Sequence, residues 1–285
     1  MRVLVTGAAG QLGSAVCAAL GRRGMEYWGL SSKELDVRDR DAVNRTIREL
    51  RPEGVVHCAA YTAVDRAETE EAECRAVNVS GTENVAKACR DSGAKLLYIS
   101  SDYVFSGVGT EYAETGQPTA PLNAYGRSKA DGESAVLEYA EKHFILRSSW
   151  FFCERAGNFA DTMLRLSEKS DQIRVVSDQT GSPTYTADLA LLICDMILSD
   201  RYGIYHGTNE GVCSWAEFAS EIFRIAGKKT RVIPISASEY AAAACRPGNS
   251  RLSKASLDAA GFRRLPDWHD ALARCLALRK EMERI

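Results

Sequence analysis

The sequence predicts an α/β protein: a Rossmann-like, doubly wound parallel sheet with a smaller C-terminal lobe. Three features carry that expectation: short apolar runs alternate with amphipathic stretches, the runs are continuous, and the first closes on a glycine-rich turn. Continuous apolar strands are buried on both faces, as a parallel sheet covered by helices requires.

The elements follow in order. "RVLVTG" is a strand closed by glycine, a helical pattern runs through Leu20, and "MEYWGL" is the second strand. A helix is expected over about 39–50, then the strand "GVVHCAA" and a long helix over about 73–91. The strand "AKLLYIS", a loop, a helix over about 124–142 and the strand "HFILRSS" continue the alternation. Beyond Trp150 the rhythm loosens: "NFADTMLRLSEKS" reads as a helix, "IRVVSD" as a strand, and "TADLALLICDMILSD" as a helix able to rejoin the sheet's outer layer. A dinucleotide-binding domain is therefore expected over 1–148, with 173–200 returning to it. Segments 149–172 and 201–285 are expected to form the smaller, substrate-binding lobe.

Composition narrows the function. The chain has 285 residues, 45% hydrophobic and 26% charged, which is ordinary for a globular protein. Net charge is -2, and no run of one sign could form a basic arm, so nucleic acid is not the expected partner. No apolar stretch reaches the roughly 18 residues of a membrane span, and no signal-peptide layout opens the chain, so a cytoplasmic protein without membrane association is expected. Nine cysteines occur without a C-x-x-C pair or clustered histidines, which argues against a zinc site or a disulfide framework. Cys58, Cys89 and Cys194 read as structural thiols.

Gly7, Gly10 and Gly13 in "GAAGQLG" lie directly between the first strand and the first helix. There, glycines allow a tight turn and let backbone amides approach a pyrophosphate at the positive end of the helix; Gln11 and Leu12 belong to the same expected contact. At the end of the second strand, "GLSSKELD" offers Ser31, Ser32 and Lys33 before any carboxylate. Hydroxyls and an ammonium suit a 2'-phosphate, so NADPH is preferred, with NADH left open. Asp36 and Val37 are candidates to contact the adenine.

"YISSDYVFSG" puts Ser100 and Ser101 at the carboxyl end of the fourth strand, where open α/β sheets bind ligands. Tyr125 and Lys129 in "YGRSK" share one face of the next helix. An ammonium beside a phenol is expected to lower its pKa from about 10 and let it exchange a proton with a carbonyl or alcohol oxygen. A neighbouring serine hydroxyl can hold that oxygen.

With these motifs, the segments "CAAYTAVDRAE", "AVNVSGTENVA", "LRSSWFF", "DQTGSPTYTADLA" and "RPGNSRLS" make the chain resemble the extended short-chain dehydrogenase/reductases, and more narrowly the dTDP-4-dehydrorhamnose reductase family. The resemblance spans nearly the whole length. It implies hydride transfer from NAD(P)H to C4 of a nucleotide-linked 4-keto-6-deoxyhexose. Tyr125 would be the proton donor, Lys129 would bind the nicotinamide ribose and tune Tyr125, and Ser101, often threonine in the family, would hold the C4 oxygen. By the same resemblance Ala59, Ala60 and Tyr61 would line the cofactor, while Val64, Asp65 and Trp150 would face the sugar. Trp150 has the broad apolar face a pyranose favours, or it is a core residue at the domain boundary. Arg246 is a candidate for the substrate's diphosphate and Arg251 a weaker one; either could equally be a salt-bridged lobe residue. Asn158 reads as a helix cap in preference to a substrate contact. Some relatives bind magnesium between subunits, but the first helix here carries no carboxylate, so no metal is expected, and the choice between monomer and homodimer stays open. The fold also serves sugar-nucleotide epimerases and dehydratases and a regulatory subunit of methionine adenosyltransferase. Asp102 has no glutamate after it, which disfavours dehydration, and the intact Ser101, Tyr125 and Lys129 disfavour a non-catalytic role.

Overall fold

A computed structural model describes residues 1–113 and 117–284. Strand β1 (Arg2–Thr6) leads into helix α1 (Gln11–Arg22), and β2 (Glu26–Leu30) pairs parallel with β1. Helix α2 (Arg40–Leu50) returns the chain to β3 (Gly54–His57), on the opposite side of β1. The Asp39 side chain starts α2 by accepting from the Ala42 N–H, an ordinary N-cap. Short helices α3 (Val64–Ala67) and α4 (Glu71–Arg75) and a π-helical turn over 76–81 lead into α5 (Thr82–Ser92). Then come β4 (Lys95–Ser101), α6 (Ala124–Tyr139) and β5 (His143–Ser148).

The next stretch holds β6 (Phe151–Phe152), α7 (Phe159–Ser167), β7 (Gln172–Val176), β8 (Thr180–Gly181), β9 (Thr184–Tyr185), α8 (Thr186–Ile197) and β10 (Gly203–His206). The remainder holds β11 (Cys213–Ser214), α9 (Trp215–Ala226), β12 (Arg231–Ile235), β13 (Asn249–Ser250), α10 (Ala255–Ala259) and α11 (Trp268–Met282).

The main sheet is parallel, in the order β2-β1-β3-β4-β5-β10. The chain leaves β1 towards β2 and returns to its other side for β3, so a crevice opens above the carboxyl ends of these strands. One face of the sheet is covered by α1 and α8, with Val16, Leu20, Leu189 and Ile193 in its core. The other is covered by α2, α5 and α6, with Ile47, Val85, Cys89 and Val136. A third core, around Phe152, Met163, Val175, Phe218, Trp268 and Leu272, belongs to the second lobe.

Two expected boundaries shift. Helix α8 does return to the dinucleotide domain, but the strand of "IRVVSD" does not: β7 pairs with β12 in the second lobe. Conversely β10, expected in that lobe, is the sixth strand of the main sheet. The apolar run of β7 is short enough to suit either sheet, so only its partner decides.

Candidate active site

The glycine turn forms one wall of a cleft of about 960 Å³ above β1, β3 and β4. Gly7 has φ +66°, and a side chain there would run into the Ala59 backbone; one on Gly13 would strike the Gly7 carbonyl. Only glycine permits this close backbone packing, which leaves the first turn of α1 open to a ligand. Gly10, Gln11 and Leu12 share the lining, and Ala59, Ala60 and Tyr61 from the end of β3 face them. Gln11 also reaches across to the second lobe, donating to the Gly157 carbonyl at 3.1 Å.

The end of β2 differs from expectation. Ser32, Asp36 and Val37 line the cleft, but Ser31 does not: its hydroxyl and N–H both donate to Glu34, at 2.8 Å each. Asp36 is gripped by Arg38, whose guanidinium also bonds Glu73, and these contacts hold the Asp36 carboxyl below its usual range. Arg38 itself lines the cleft, as does Arg155, which donates to Ser14 on α1. Neither arginine was singled out from the sequence. The "DVRDR" segment held the signal for the first, a cation just beyond the second strand.

At the far end of the cleft Ser101, Tyr125 and Lys129 come together, from the last residue of β4 and the first turns of α6. Asn123 caps α6 by accepting from the Gly126 N–H at 2.7 Å and fixes where that helix begins. Strand alternation sends Ser100 the other way, into a buried network where it donates to Glu133 at 2.5 Å while Arg147 grips the same carboxylate. Lys129 is 2% exposed; its Nζ donates to the Ile99 carbonyl at 2.7 Å and lies 4.0 Å from the centre of the Tyr98 ring. Burial lowers it to about 7, against the opposing charge of Glu133.

Tyr125 moves opposite to the expectation. Burial, together with the nearby Asp102 charge, pushes the phenol well above its ordinary value, and a Ser101 hydrogen bond offsets only part of this. Burial and the Asp102 charge disfavour the phenolate, and Lys129 is not among the groups that offset them. Tyr125 is thus a phenol that keeps its proton, which suits donation.

Val64 and Trp150 line the mouth of the cleft. Trp150 adopts φ +51°, uncommon for a bulky residue, and its ring stacks on Trp215 at 3.7 Å between centroids. Asp65 and Arg246 do not line the cleft; they grip each other, Nη2 to Oδ2 at 2.6 Å and Nη1 to Oδ1 at 3.0 Å, joining the two lobes. Of the two readings open for Arg246, the salt-bridged one describes this structure. Arg251 likewise donates to Asn249. Asn158 caps α7 as expected, accepting from Asp161 at 3.2 Å, and also borders the cleft. Asp102, which in the sequence serves only as an argument against dehydration, belongs to the site itself: it lines the cleft, 2% exposed, between the hydroxyls of Ser101 and Ser250.

This geometry has close parallels. A family described as the RmlD substrate binding domain matches residues 1–280. A dTDP-4-dehydrorhamnose reductase of Streptomyces griseus is 42% identical over 278 residues, covering 95% of this chain and 91% of that protein. The spore coat polysaccharide biosynthesis protein SpsK of Bacillus subtilis is 39% identical, with 95% of each chain covered. Among solved structures, a dTDP-4-dehydrorhamnose reductase from Bacillus anthracis in complex with NADP superposes with a TM-score of 0.94 at 43% identity, covering 97% of this chain and 98% of that one. Sheet order, glycine turn and near full-length similarity agree, and the chain belongs to the RmlD substrate binding domain family.

Proposed function

We propose that the protein reduces dTDP-4-dehydro-β-L-rhamnose to dTDP-L-rhamnose with NADPH. The observation that carries this reading is the convergence of Ser101, Tyr125 and Lys129 at one end of the cleft whose other end is the glycine turn. The names of the Streptomyces griseus and Bacillus anthracis relatives support the substrate, and the NADP of the latter supports the cofactor.

The cleft's construction fits a dinucleotide: the backbone cradle would be filled by a side chain at Gly7 or Gly13, and two arginines border it. The Gly7–Gly13 turn would hold the pyrophosphate, Ser32 and Arg38 the adenosine phosphate, Ala59, Ala60 and Tyr61 the middle, and Lys129 the nicotinamide ribose. Bound there, NADPH supplies the hydride. Tyr125 gives its proton to the C4 oxygen as the carbonyl carbon becomes an alcohol carbon, and Ser101 holds that oxygen. Lys129, at about 7, passes between charged and neutral near physiological pH and can stabilise the phenolate left behind. Val64 and Trp150 form the apolar wall for the sugar. Arg246 can take the diphosphate by exchanging Asp65 for phosphate oxygens, since both offer a guanidinium a two-oxygen partner. The main-sheet domain thus carries cofactor and chemistry, and the second lobe carries recognition. Among the described residues no helix is long and apolar enough to cross a membrane.

The test follows NADPH absorbance with purified protein and enzymatically generated dTDP-4-dehydro-L-rhamnose, repeated with NADH. Stoichiometric oxidation, faster with NADPH, is expected. Cofactor binding without oxidation would refute the reading.

A further inference from the structure

Among the described residues the carboxylate beside Ser101 has no cationic partner. Asp102 follows the end of β4, and among the described residues it forms no ion pair with any lysine or arginine. Its Oδ1 accepts from the Ser101 hydroxyl at 2.9 Å, and its Oδ2 accepts from the Ser250 hydroxyl at 2.5 Å. Ser250 lies on β13, which pairs with β8, so this second bond comes from a chain segment 148 residues away. The titratable groups facing Asp102 are Tyr103 on its own turn and Tyr125 on α6. The nearby cations are directed elsewhere: Lys129 to the Ile99 carbonyl and Arg246 to Asp65.

A serine hydroxyl has one proton to give. Ser101 already accepts from the Tyr103 N–H at 3.2 Å, and beside a Tyr125 that keeps its own proton, the one proton of Ser101 goes to the Asp102 carboxylate when that group is ionised. In this state Ser101 offers a ligand lone pairs alone. That suits an alcohol, which brings its own proton, and not a ketone, which needs donors. With a proton on Oδ1 the polarity reverses: the acid donates to Ser101, and the Ser101 proton turns into the cleft as a second donor beside Tyr125. Accepting and donating hydroxyls differ sharply where the groups are as buried as Ser101 and Asp102.

We propose that Asp102, held by Ser250 from the second lobe, sets the direction of the Ser101 hydroxyl and so makes ketone reduction depend on a proton at this carboxyl. The proposal rests on the reductase reading and deepens it. Asp102 and Ser250 are positioning residues; Ser101 and Tyr125 touch the reacting oxygen. Burial supports it by raising the Asp102 carboxyl to about 6, in spite of both serine bonds and two backbone N–H groups. Ionised Asp102 also raises the Tyr125 phenol, so its charge acts on both donors at once.

Two measurements test this. Single-turnover hydride transfer should fall as pH rises through about 6, by up to tenfold per pH unit until the ionised form's own rate is reached. Ser250→Ala removes a donor that stabilises the carboxylate, so the fall should move to higher pH; Asp102→Asn should abolish the step. In parallel, carbon-13 NMR of labelled aspartate follows the Asp102 carboxyl directly in the wild type, Ser101→Ala and Ser250→Ala. Each serine variant should raise its midpoint. This arm needs no turnover, and it decides the matter if Asp102→Asn fails to fold. A midpoint unmoved by Ser101→Ala overturns the proposal, and so does a pH step that survives in Asp102→Asn. A working reductase with pH-independent hydride transfer overturns this inference alone, whereas a protein that binds NADPH but does not oxidise it when given a 4-ketosugar overturns the reductase reading with it.

Discussion

Replacing Lys129 by methionine should make the protein more stable while ending its activity. The lysine is 2% exposed, and its fall from 10.5 to about 7 means that burying the charged form costs about 5 kcal/mol, at about 1.4 kcal/mol per pH unit. Methionine is of similar length and carries no charge, but it leaves the Ile99 carbonyl without its donor, a loss of about 1–3 kcal/mol. The net gain at pH 6 is therefore about 2–4 kcal/mol, or roughly 5–15 °C in Tm for a protein of this size. The sign with pH follows from linkage. Lys129 binds its proton more weakly folded than unfolded, so the cost is complete below about 7 and is relieved as pH rises towards 10.5. At pH 9 about 2 kcal/mol remains, which the lost hydrogen bond offsets, and the two melting curves should nearly coincide. Calorimetry of both proteins at pH 6 and pH 9 is the assay, together with titration of NADPH binding, which the variant should weaken. A variant less stable than the wild type at pH 6, or a difference that does not shrink by pH 9, would refute the argument that a buried charge is being held against its solvation.

Tyr125→Phe should lower kcat about a hundred- to ten-thousand-fold and leave the Kd for NADPH unchanged, read by single turnover and fluorescence titration. Arg246→Ala should raise KM for the sugar nucleotide much more than it lowers kcat and should not alter NADPH binding; equal KM values would return Arg246 to a structural role. Trp215→Ala removes the ring against which Trp150 stacks, so the near-ultraviolet circular dichroism of the pair should collapse and KM for the sugar should rise. Retention of the wild-type KM would mean that the φ +51° backbone alone fixes Trp150.

The parts of the site that could be read from the sequence are those made by neighbours along the chain. The glycine turn joins consecutive elements, Tyr125 and Lys129 share a helix face, and Ser101 ends a strand whose alternation separates it from Ser100. What stayed hidden depends on contacts between distant segments. Nothing near Asp102 points to Ser250, and nothing near Asp65 points to Arg246, 181 residues away. Strand β7 carries the same apolar signal as a main-sheet strand and was misplaced because its partner, β12, lies more than fifty residues further on. The direction of the Tyr125 shift is hidden for a related reason: spacing reveals a lysine at i+4 but neither the burial of Lys129 nor the Asp102 charge beside Tyr125.

The alternation of segments between the two lobes governs how the protein can be made. The main sheet lacks its edge strand until residue 206 has been synthesised, and the aromatic interior of the second lobe, around Phe218 and Phe223, has no cover from Trp268 and Leu272 until the last helix emerges. A nascent chain therefore leaves the ribosome with apolar surface waiting for partners still untranslated, the condition in which chains of this size recruit chaperones or aggregate. Neither lobe corresponds to a continuous fragment, so gene truncations at the apparent domain boundary should yield insoluble products, while a circular permutation that keeps every segment leaves all the contacts attainable.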